Sequence, residues 1–506
     1  MPRRAQHQDL PIALASGAPI HRALYDALRS GILEGRLRSG SKVPSSRDLA
    51  RQLGVARGTV VAIYEQLVSE GYLVTRRGSG TTVAADLPDR WFRAPVPREA
   101  PSTDSPIEKR QARPIALSRF GRSQVETPFA LAPRRTARPF RPHLPAVDAF
   151  PTELWARTVA RRAKADERLL LGEGDVRGHA PLREVLAEHL RLTRGVSCDA
   201  EQIVILPSVQ QALDLSARLT LERGDAIWME DPGYTGARAV FRAAGAELVG
   251  VPVDDRGLDV AHGVREAPHA RMVYVTPGHQ APLGVTMSIE RRLELLGWAK
   301  RARALVIDDD YDSDYRYEGR PVPALQGLDK DGVVLHTGSF SKTLLHSLRI
   351  AYAVVPPSML DAFVATKSIV DRFTPAPTQA ALADFIEAGH FARHLRRMRE
   401  LYAERRAALL SALAAELGGA VTVVGASAGL GIAARLPDGF DDLGLERALA
   451  DADVESIALS RHALRPSERT VRGLLLGFAA YSPARLRRAV ERLASVLDGL
   501  RRKRRA

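Results

Sequence analysis

A chain of 506 residues is too long for one ordinary domain, and its 45% hydrophobic content is enough to bury a large core. No apolar run approaches the roughly 18–20 residues of a membrane span. The opening "MPRRAQHQDLPIALASGAPIH" lacks a long apolar secretory segment, and the single cysteine, Cys198, excludes both an intramolecular disulfide framework and a cysteine-built zinc site, so a cytoplasmic location is expected. The net charge of +14 favours polyanionic partners, although an arginine-rich composition would give part of it by itself.

Residues 14–86 read as a compact helical domain. In "IHRALYDALRSGILEG", Ile20, Leu24, Leu28 and Ile32 recur at helical spacing and Gly35 closes the helix. "VPSSRDLARQLGV" starts a second helix, with Ser45 as N-cap and Asp48 three residues on as its reciprocal partner. After a turn at Gly54, "ARGTVVAIYEQLVSEG" buries Val60, Ile63, Tyr64 and Leu67 on one face and leaves Arg57, Gly58 and Thr59 pointing outward. Two helices joined by a short turn, the second opening on polar residues, suit the major groove. "YLVTRRGSGTTVA" then predicts two strands around Arg76, Arg77, Gly78 and Gly80, a basic hairpin able to lie along phosphates. Residues 1–86 hold twelve Lys/Arg against seven Asp/Glu, +5, which permits nucleic acid without requiring it.

The stretch "GSKVPSSRDLARQLGVARGTVVAIYEQLVSEGYLVTRRGSGTTV" resembles the winged helix-turn-helix of GntR-type repressors along its whole length. By that resemblance Arg47, Arg57, Thr59, Arg77 and Gly78 would contact double-stranded DNA. Ala56 departs from the Ser or Thr common at its position and forfeits a cap of about 1 kcal/mol.

Residues 87–136 are rich in Pro, Arg and Ser without a sustained period, as in a linker. Beyond them, residues 137–506 alternate helical stretches with strand-like runs. These are "QIVILP", "DAIWME", "AELVGVPV", "RMVYVTP", "ALVIDDD", "GVVLHTG" and "IAYAVVP". The alternation predicts an α/β domain with a mainly parallel sheet and helices on both faces.

Chemistry gathers where these strands end. In "TGSFSKTLLHSLRIAY", Lys342 lies among hydroxyls with Arg349 beyond it; hydroxyls and an arginine suit a phosphate, and such a lysine can condense with an aldehyde. "VIDDDYDSDYRY" places carboxylates directly after a buried strand, and a pyridine nitrogen is kept protonated by such a group. "EDPGYTGARAVF" offers Tyr234 on a Pro-Gly turn to stack on a ring, and "VTPGHQAPLG" brings His279 and Gln280 as polar candidates. Taken singly, Asp309 reads equally as a helix cap, Tyr234 as ordinary core and His279 as a loop histidine. Their order, each after a successive strand, argues for one site.

That order resembles fold-type I pyridoxal-phosphate-dependent aminotransferases, and its wording resembles the MocR type of GntR regulator, a winged helix joined by a long linker to an aminotransferase-like domain. The likeness runs from "FRPHLPAVDAFPTELWAR" to "LLLGFAAYSP". It implies pyridoxal 5'-phosphate as cofactor, Lys342 as its Schiff-base lysine and Asp309 beside the pyridine nitrogen. Tyr311 would bond the ring hydroxyl, Tyr234 would stack on the ring, and Ser339, Arg349 and the backbone of Ser208 and Val209 would hold the phosphate. A head-to-tail homodimer reading two half-sites of an operator, and a small-molecule effector, are likewise implied.

Departures qualify the carry-over. Val209, Ala281, Leu283 and His346 replace residues usual in that family, and each lost phosphate donor would cost about 1–3 kcal/mol. Aminotransferases that handle amino acids clamp the α-carboxylate with an arginine in a C-terminal "R-[LIV]-[GS]-F" strand; here "GLLLGFA" puts Leu475 at that position. The expectation is therefore a regulator whose aminotransferase-like domain senses pyridoxal phosphate or a ligand linked to it. The alternative is an active aminotransferase carrying a DNA-binding module.

Overall fold

The computed structural model describes residues 19–76, 80–87, 115–118, 120–122, 138–165, 168, 172–319, 322–468 and 470–505. It divides into two compact units, residues 1–114 and 115–506.

In the smaller unit, α1 (Ile20–Leu33), α2 (Ser46–Leu53) and α3 (Arg57–Ser69) precede a two-stranded antiparallel ribbon of β1 (Leu73–Arg76) and β2 (Gly80–Val83). The Ser45 hydroxyl accepts from the Asp48 amide at 3.2 Å and donates to the Asp48 carboxylate at 2.6 Å, so α2 starts on a side-chain cap that runs through the Ser45 hydroxyl. Gly54 ends it at φ +65°, a left-handed conformation that favours glycine. Leu24, Leu28, Ile32, Leu49, Val60, Ile63 and Leu67 are buried together. Ile20 departs from expectation and is 51% exposed. Residues four apart drift about 40° per step around a helix of 3.6 residues per turn, so a stripe drawn through Ile20, Leu24, Leu28 and Ile32 carries one end out of the core. Ala23 and Gly31 are buried instead. Arg77 and Gly78 lie outside the described residues.

The larger unit opens with α4 (Thr152–Ala165) and α5 (Ala180–Arg194), followed by β3 (Ile203–Leu206), α6 (Val209–Thr220), β4 (Ala226–Asp231) and α7 (Thr235–Ala244). Next come β5 (Glu247–Asp254), β6 (Gly257–Leu258), α8 (Val260–Glu266), β7 (Met272–Val275), α9 (Ile289–Ala302) and β8 (Leu305–Asp310). Then β9 (Val334–Ser339) leads through the one-turn α10 (Phe340–Thr343) to β10 (Ala351–Val354), and α11 (Leu360–Val370), α12 (Ala376–Glu387) and α13 (His390–Leu417) follow. Strand order is β3-β10-β9-β8-β7-β4-β5-β6.

Each of the seven strand-like runs forms a strand. The pairs β5–β4, β4–β7, β7–β8 and β8–β9 are parallel, whereas β10 runs antiparallel to both β9 and β3. A parallel crossover needs about a dozen residues or more. Only residues 340–350 separate β9 from β10, so the chain turns back on itself. Lys342 sits in that tight connection.

Strand alternation sorts the core. Ile227 and Met229 face a cluster with Leu213 and Phe241, while Trp228, between them, faces the opposite cluster and stacks on Trp298 at 3.6 Å. The chain closes with a smaller antiparallel sheet in the order β11-β12-β14-β13, built from β11 (Thr422–Val424), β12 (Gly431–Arg435), β13 (Ile457–Ala458) and β14 (Gly473–Gly477). It is accompanied by α14 (Asp442–Asp451) and α15 (Pro483–Arg505). Leu474 and Leu476 of β14 join the main core, and Leu475 between them turns to a separate cluster with Leu283, Ala433 and Leu459.

Candidate functional site

Strands β4, β7, β8 and β9 are parallel neighbours, so their carboxyl ends share one sheet edge, where ligands of α/β folds collect. The residues that follow those ends are Tyr234, His279, Tyr311 and Lys342. Lys342 lies in α10, whose N-cap is Ser339; that hydroxyl accepts from the Ser341 amide at 3.1 Å. The lysine Nζ donates to the His143 carbonyl at 3.2 Å and stands 3.2 Å from Nε2 of His346, one helical turn on. Burial of its ammonium lowers the Lys342 pKa to about 8, the carboxylates of Asp312 and Asp309 offsetting only part of that cost. Burial and the Lys342 charge bring His346 down to about 4. Burial and Lys342 also push His143 well below the ordinary range. A lysine with these neighbours is partly neutral, and so nucleophilic, near neutral pH.

Asp309 pairs in register with Thr337 on the adjacent strand. Its carboxylate accepts from the Tyr274 hydroxyl at 2.6 Å and from Thr337 at 3.3 Å, and no cationic side chain among the described residues hydrogen-bonds to it. Burial raises its pKa to about 6, with the Asp310 and Asp308 charges adding to the rise. Neighbouring carboxylates are already matched: Asp308 to His336 at 2.9 Å, and Asp310 to Arg194 at 2.6 Å. Tyr234 lies above Tyr274, ring centroids 6.3 Å apart and inclined by 30°.

His279 is buried and bonds Asp312 through Nδ1 at 2.8 Å, with the Tyr311 hydroxyl 3.2 Å from the same nitrogen. Burial pulls His279 down, but the Asp312 carboxylate more than offsets this and raises it. Gln280 is differently placed from the expectation of a ligand-facing group. Its amide donates to Glu230, to the Pro232 carbonyl at 2.9 Å and to the Ala281 carbonyl at 2.8 Å, and its oxygen accepts from the Leu283 amide at 2.9 Å. Gln280 thus shapes the turn, and Glu230 beneath it is raised to about 7 by burial. Two loops meet tightly here: Gly284 (φ +70°) has Gly425 against it, and a Cβ on Gly284 would stand 2.5 Å from the Gly425 Cα.

Ser208 caps α6, its hydroxyl accepting from the Gln211 amide at 3.3 Å, and Val209 is the first helical residue. In the same turn Gln210 Oε1 and Gln211 Oε1 are buried without a hydrogen-bond partner. Arg349 is exposed at φ +51°. A cavity is lined by residues that include Tyr311, His143, Asp312, Pro282, Ala433 and Leu475, and Leu475 is 4% exposed. In the smaller unit Arg47 and Arg57 are exposed and Thr59 is half-buried at the start of α3, where Ala56 provides no side-chain cap.

Sequence reasoning picked out the lysine, Asp309 and the two tyrosines but missed Tyr274, Thr337, Asp312, His143 and His346 as their partners. Asp312 stood in the quoted "DDDYDSDY" run, and His346 four residues after Lys342 was a readable i,i+4 signal. His143 lies 199 positions from the lysine it touches, beyond any local pattern.

Residues 20–83 match the bacterial regulatory proteins of the gntR family, and residues 148–493 match aminotransferase class I and II. The chain is 41% identical over 482 residues to the probable rhizopine catabolism regulatory protein MocR of Rhizobium meliloti, spanning 95% of this chain and 94% of that one. It is 34% identical over 401 residues to the HTH-type pyridoxine biosynthesis transcriptional regulator PdxR of Corynebacterium glutamicum, spanning 79% and 80%. Among solved structures, the alpha-aminoadipate aminotransferase of Thermus thermophilus, complexed with N-(5'-phosphopyridoxyl)-L-leucine, aligns with a TM-score of 0.66 at 29% identity, covering 71% of this chain and 92% of that one. A GntR-type region in front and an aminotransferase class I and II region behind occur here in one chain. The chain belongs to the family of bacterial transcriptional regulators that join a GntR-type DNA-binding region to an aminotransferase class I and II domain, the family of the MocR protein.

Proposed function

We propose that this regulator holds pyridoxal 5'-phosphate at Lys342 and uses the loaded domain to sense a small-molecule effector. The observation that carries the reading is a lysine lowered by burial beside a buried carboxylate, Asp309, that has two hydroxyl donors and, among the described residues, no cation bonded to it. Bound there, the cofactor supplies an amine-reactive aldehyde carbon and an electron-accepting ring. Lys342 would hold the aldehyde carbon, and Asp309 would keep a proton on the ring nitrogen. Tyr311, steadied by His279, would hydrogen-bond the ring hydroxyl, and Tyr234 would stack on the ring face. The first turn of α6 at Ser208 and Val209, with Ser339 and Arg349, would hold the phosphate, as the opening N–H groups of a helix suit an anion.

The DNA contacts of this reading are Arg47, Arg57 and Thr59, with Arg77 and Gly78 of the wing. The working form is a cytoplasmic, head-to-tail homodimer reading two half-sites of a double-stranded operator, with residues 14–86 joined by the 87–136 linker to the 137–506 effector domain. Effector binding would favour one domain arrangement over another. Regulation is preferred to transamination of amino acids because Leu475 offers a carboxylate no guanidinium. Titration of the full-length protein with pyridoxal phosphate, followed by visible absorbance, tests the reading. A lysine-bound cofactor band in the wild type and none in Lys342→Ala is expected; no band in the wild type would overturn it.

A further inference from the structure

The cavity beside Lys342 has a polar end and an apolar wall. Tyr311 and His143, whose carbonyl accepts from Lys342 at 3.2 Å, form the polar end. Leu475, Ala433 and Pro282 form the wall. Leu475 is held there by register: it pairs with Ala433 on one side and Ile457 on the other, and Leu283 and Leu459 pack around it. Among the described residues, no arginine or lysine lines the cavity. Of the guanidiniums near it in sequence, Arg435 is exposed and outside the lining, and Arg141 pairs with Glu455 at 3.5 Å. Arg472 points to Asp442 at 3.5 Å, and Arg316 donates to the Gly278 carbonyl at 3.2 Å and to Thr286 at 2.9 Å.

The hydrogen-bonded Asp312 and His279 at this cavity work against an anion. Asp312 presents a carboxylate, 2% exposed, to the cavity. His279 balances it through Nδ1, and the other ring nitrogen stands 3.3 Å from the Gly425 carbonyl. Neither nitrogen is left to meet a second anion. A ligand carboxylate would lose its water, face leucine and lie near Asp312 without compensation. A hydrocarbon or hydroxylated group has no such penalty, and hydroxyls could donate to Asp312.

We propose that the ligand of this cavity is a primary amine with an uncharged remainder, and that Leu475 is the specificity residue that excludes a carboxylate beside the amine. This rests on the reading of Lys342 as the cofactor lysine, since the amine is the group that an aldehyde cofactor would engage. It separates the chain's ligand from ordinary amino acids.

L-leucine and 3-methylbutylamine differ only in the α-carboxylate and make a matched pair of probes. Full-length protein loaded with pyridoxal phosphate is titrated with each, concentrations expressed as free base, and the change in cofactor absorbance gives the half-saturating concentration. The amine is expected to act at a concentration at least about tenfold below L-leucine, the scale of one charge-assisted contact. Leu475→Arg is expected to tighten L-leucine about tenfold or more while leaving the amine unimproved. L-leucine acting at equal or lower concentration in the wild type, or no response to either probe, overturns the inference while the cofactor band shows that the lysine reading stands. Absence of that band before any probe is added brings down the lysine reading and the inference together. The wild-type comparison decides the matter even if Leu475→Arg fails to fold.

Discussion

Replacing Asp309 by Asn separates what this carboxylate costs the fold from what it does for the cofactor. Its pKa is raised by burial from 3.8 to about 6. That rise corresponds to about 3 kcal/mol of native-state penalty on the ionised form. The sign follows from the direction. An acid raised in the folded state burdens stability above its folded pKa, and the burden fades as pH falls through about 6 towards 4. The cofactor-free wild type should therefore gain up to about 3 kcal/mol between pH 7 and pH 4 from this group, and Asp309→Asn should gain none of it. Tyr274 and Thr337 can still donate to the amide oxygen, whereas the new N–H groups lack acceptors, an offset of about 1–3 kcal/mol that does not vary with pH. Urea unfolding of the cofactor-free proteins at pH 7, 5.5 and 4, read by tryptophan fluorescence, measures the difference. Relative to wild type, the variant should lose about 3 kcal/mol across that range. Its affinity for pyridoxal phosphate should fall at least about a hundredfold, as for a broken buried ion pair. A stability difference that is flat with pH, or an unchanged affinity, would refute the reasoning.

Two further outcomes are expected. Arg57→Ala removes an exposed guanidinium at the first residue of α3 and should weaken operator binding by about 1–3 kcal/mol in a fluorescence-anisotropy titration, with the cofactor band unchanged. Loss of both properties together would sink the picture of two separable sites. The rate at which the protein captures pyridoxal phosphate should climb with pH and level off near 8, because the neutral amine is the nucleophile and burial lowers Lys342 to about 8. Stopped-flow absorbance would detect a climb continuing towards the ordinary lysine value, which would contradict a buried ammonium.

Much of this protein follows from local pattern. Helical spacing and the Ser45–Asp48 cap mark out the small domain, because caps and periodicity act over three or four residues. Seven apolar runs mark seven strands, and the lysine, the aspartate and the tyrosines were legible because each lies at or just beyond the carboxyl end of one of them. Leu475 was legible only through the resemblance to the aminotransferase C-terminal strand; the structure adds that its neighbours Leu474 and Leu476 turn the other way. Long-range partners were not legible. Four carboxylates crowd "DDDYD", yet Asp308 meets His336, Asp309 meets Tyr274, Asp310 meets Arg194 and Asp312 meets His279. Nothing local distinguishes them; strand pairing and loop return assign each partner from a distant segment. The reversal of β10, which holds Lys342 in a tight turn against His143, likewise depends on which strand it joins. Sequence by itself determined the elements and the residue types at the sheet edge, since those obey short-range periodicity. Tertiary structure alone decided charge balance and access at the site, since burial and pairing come from segments that meet only when the chain folds.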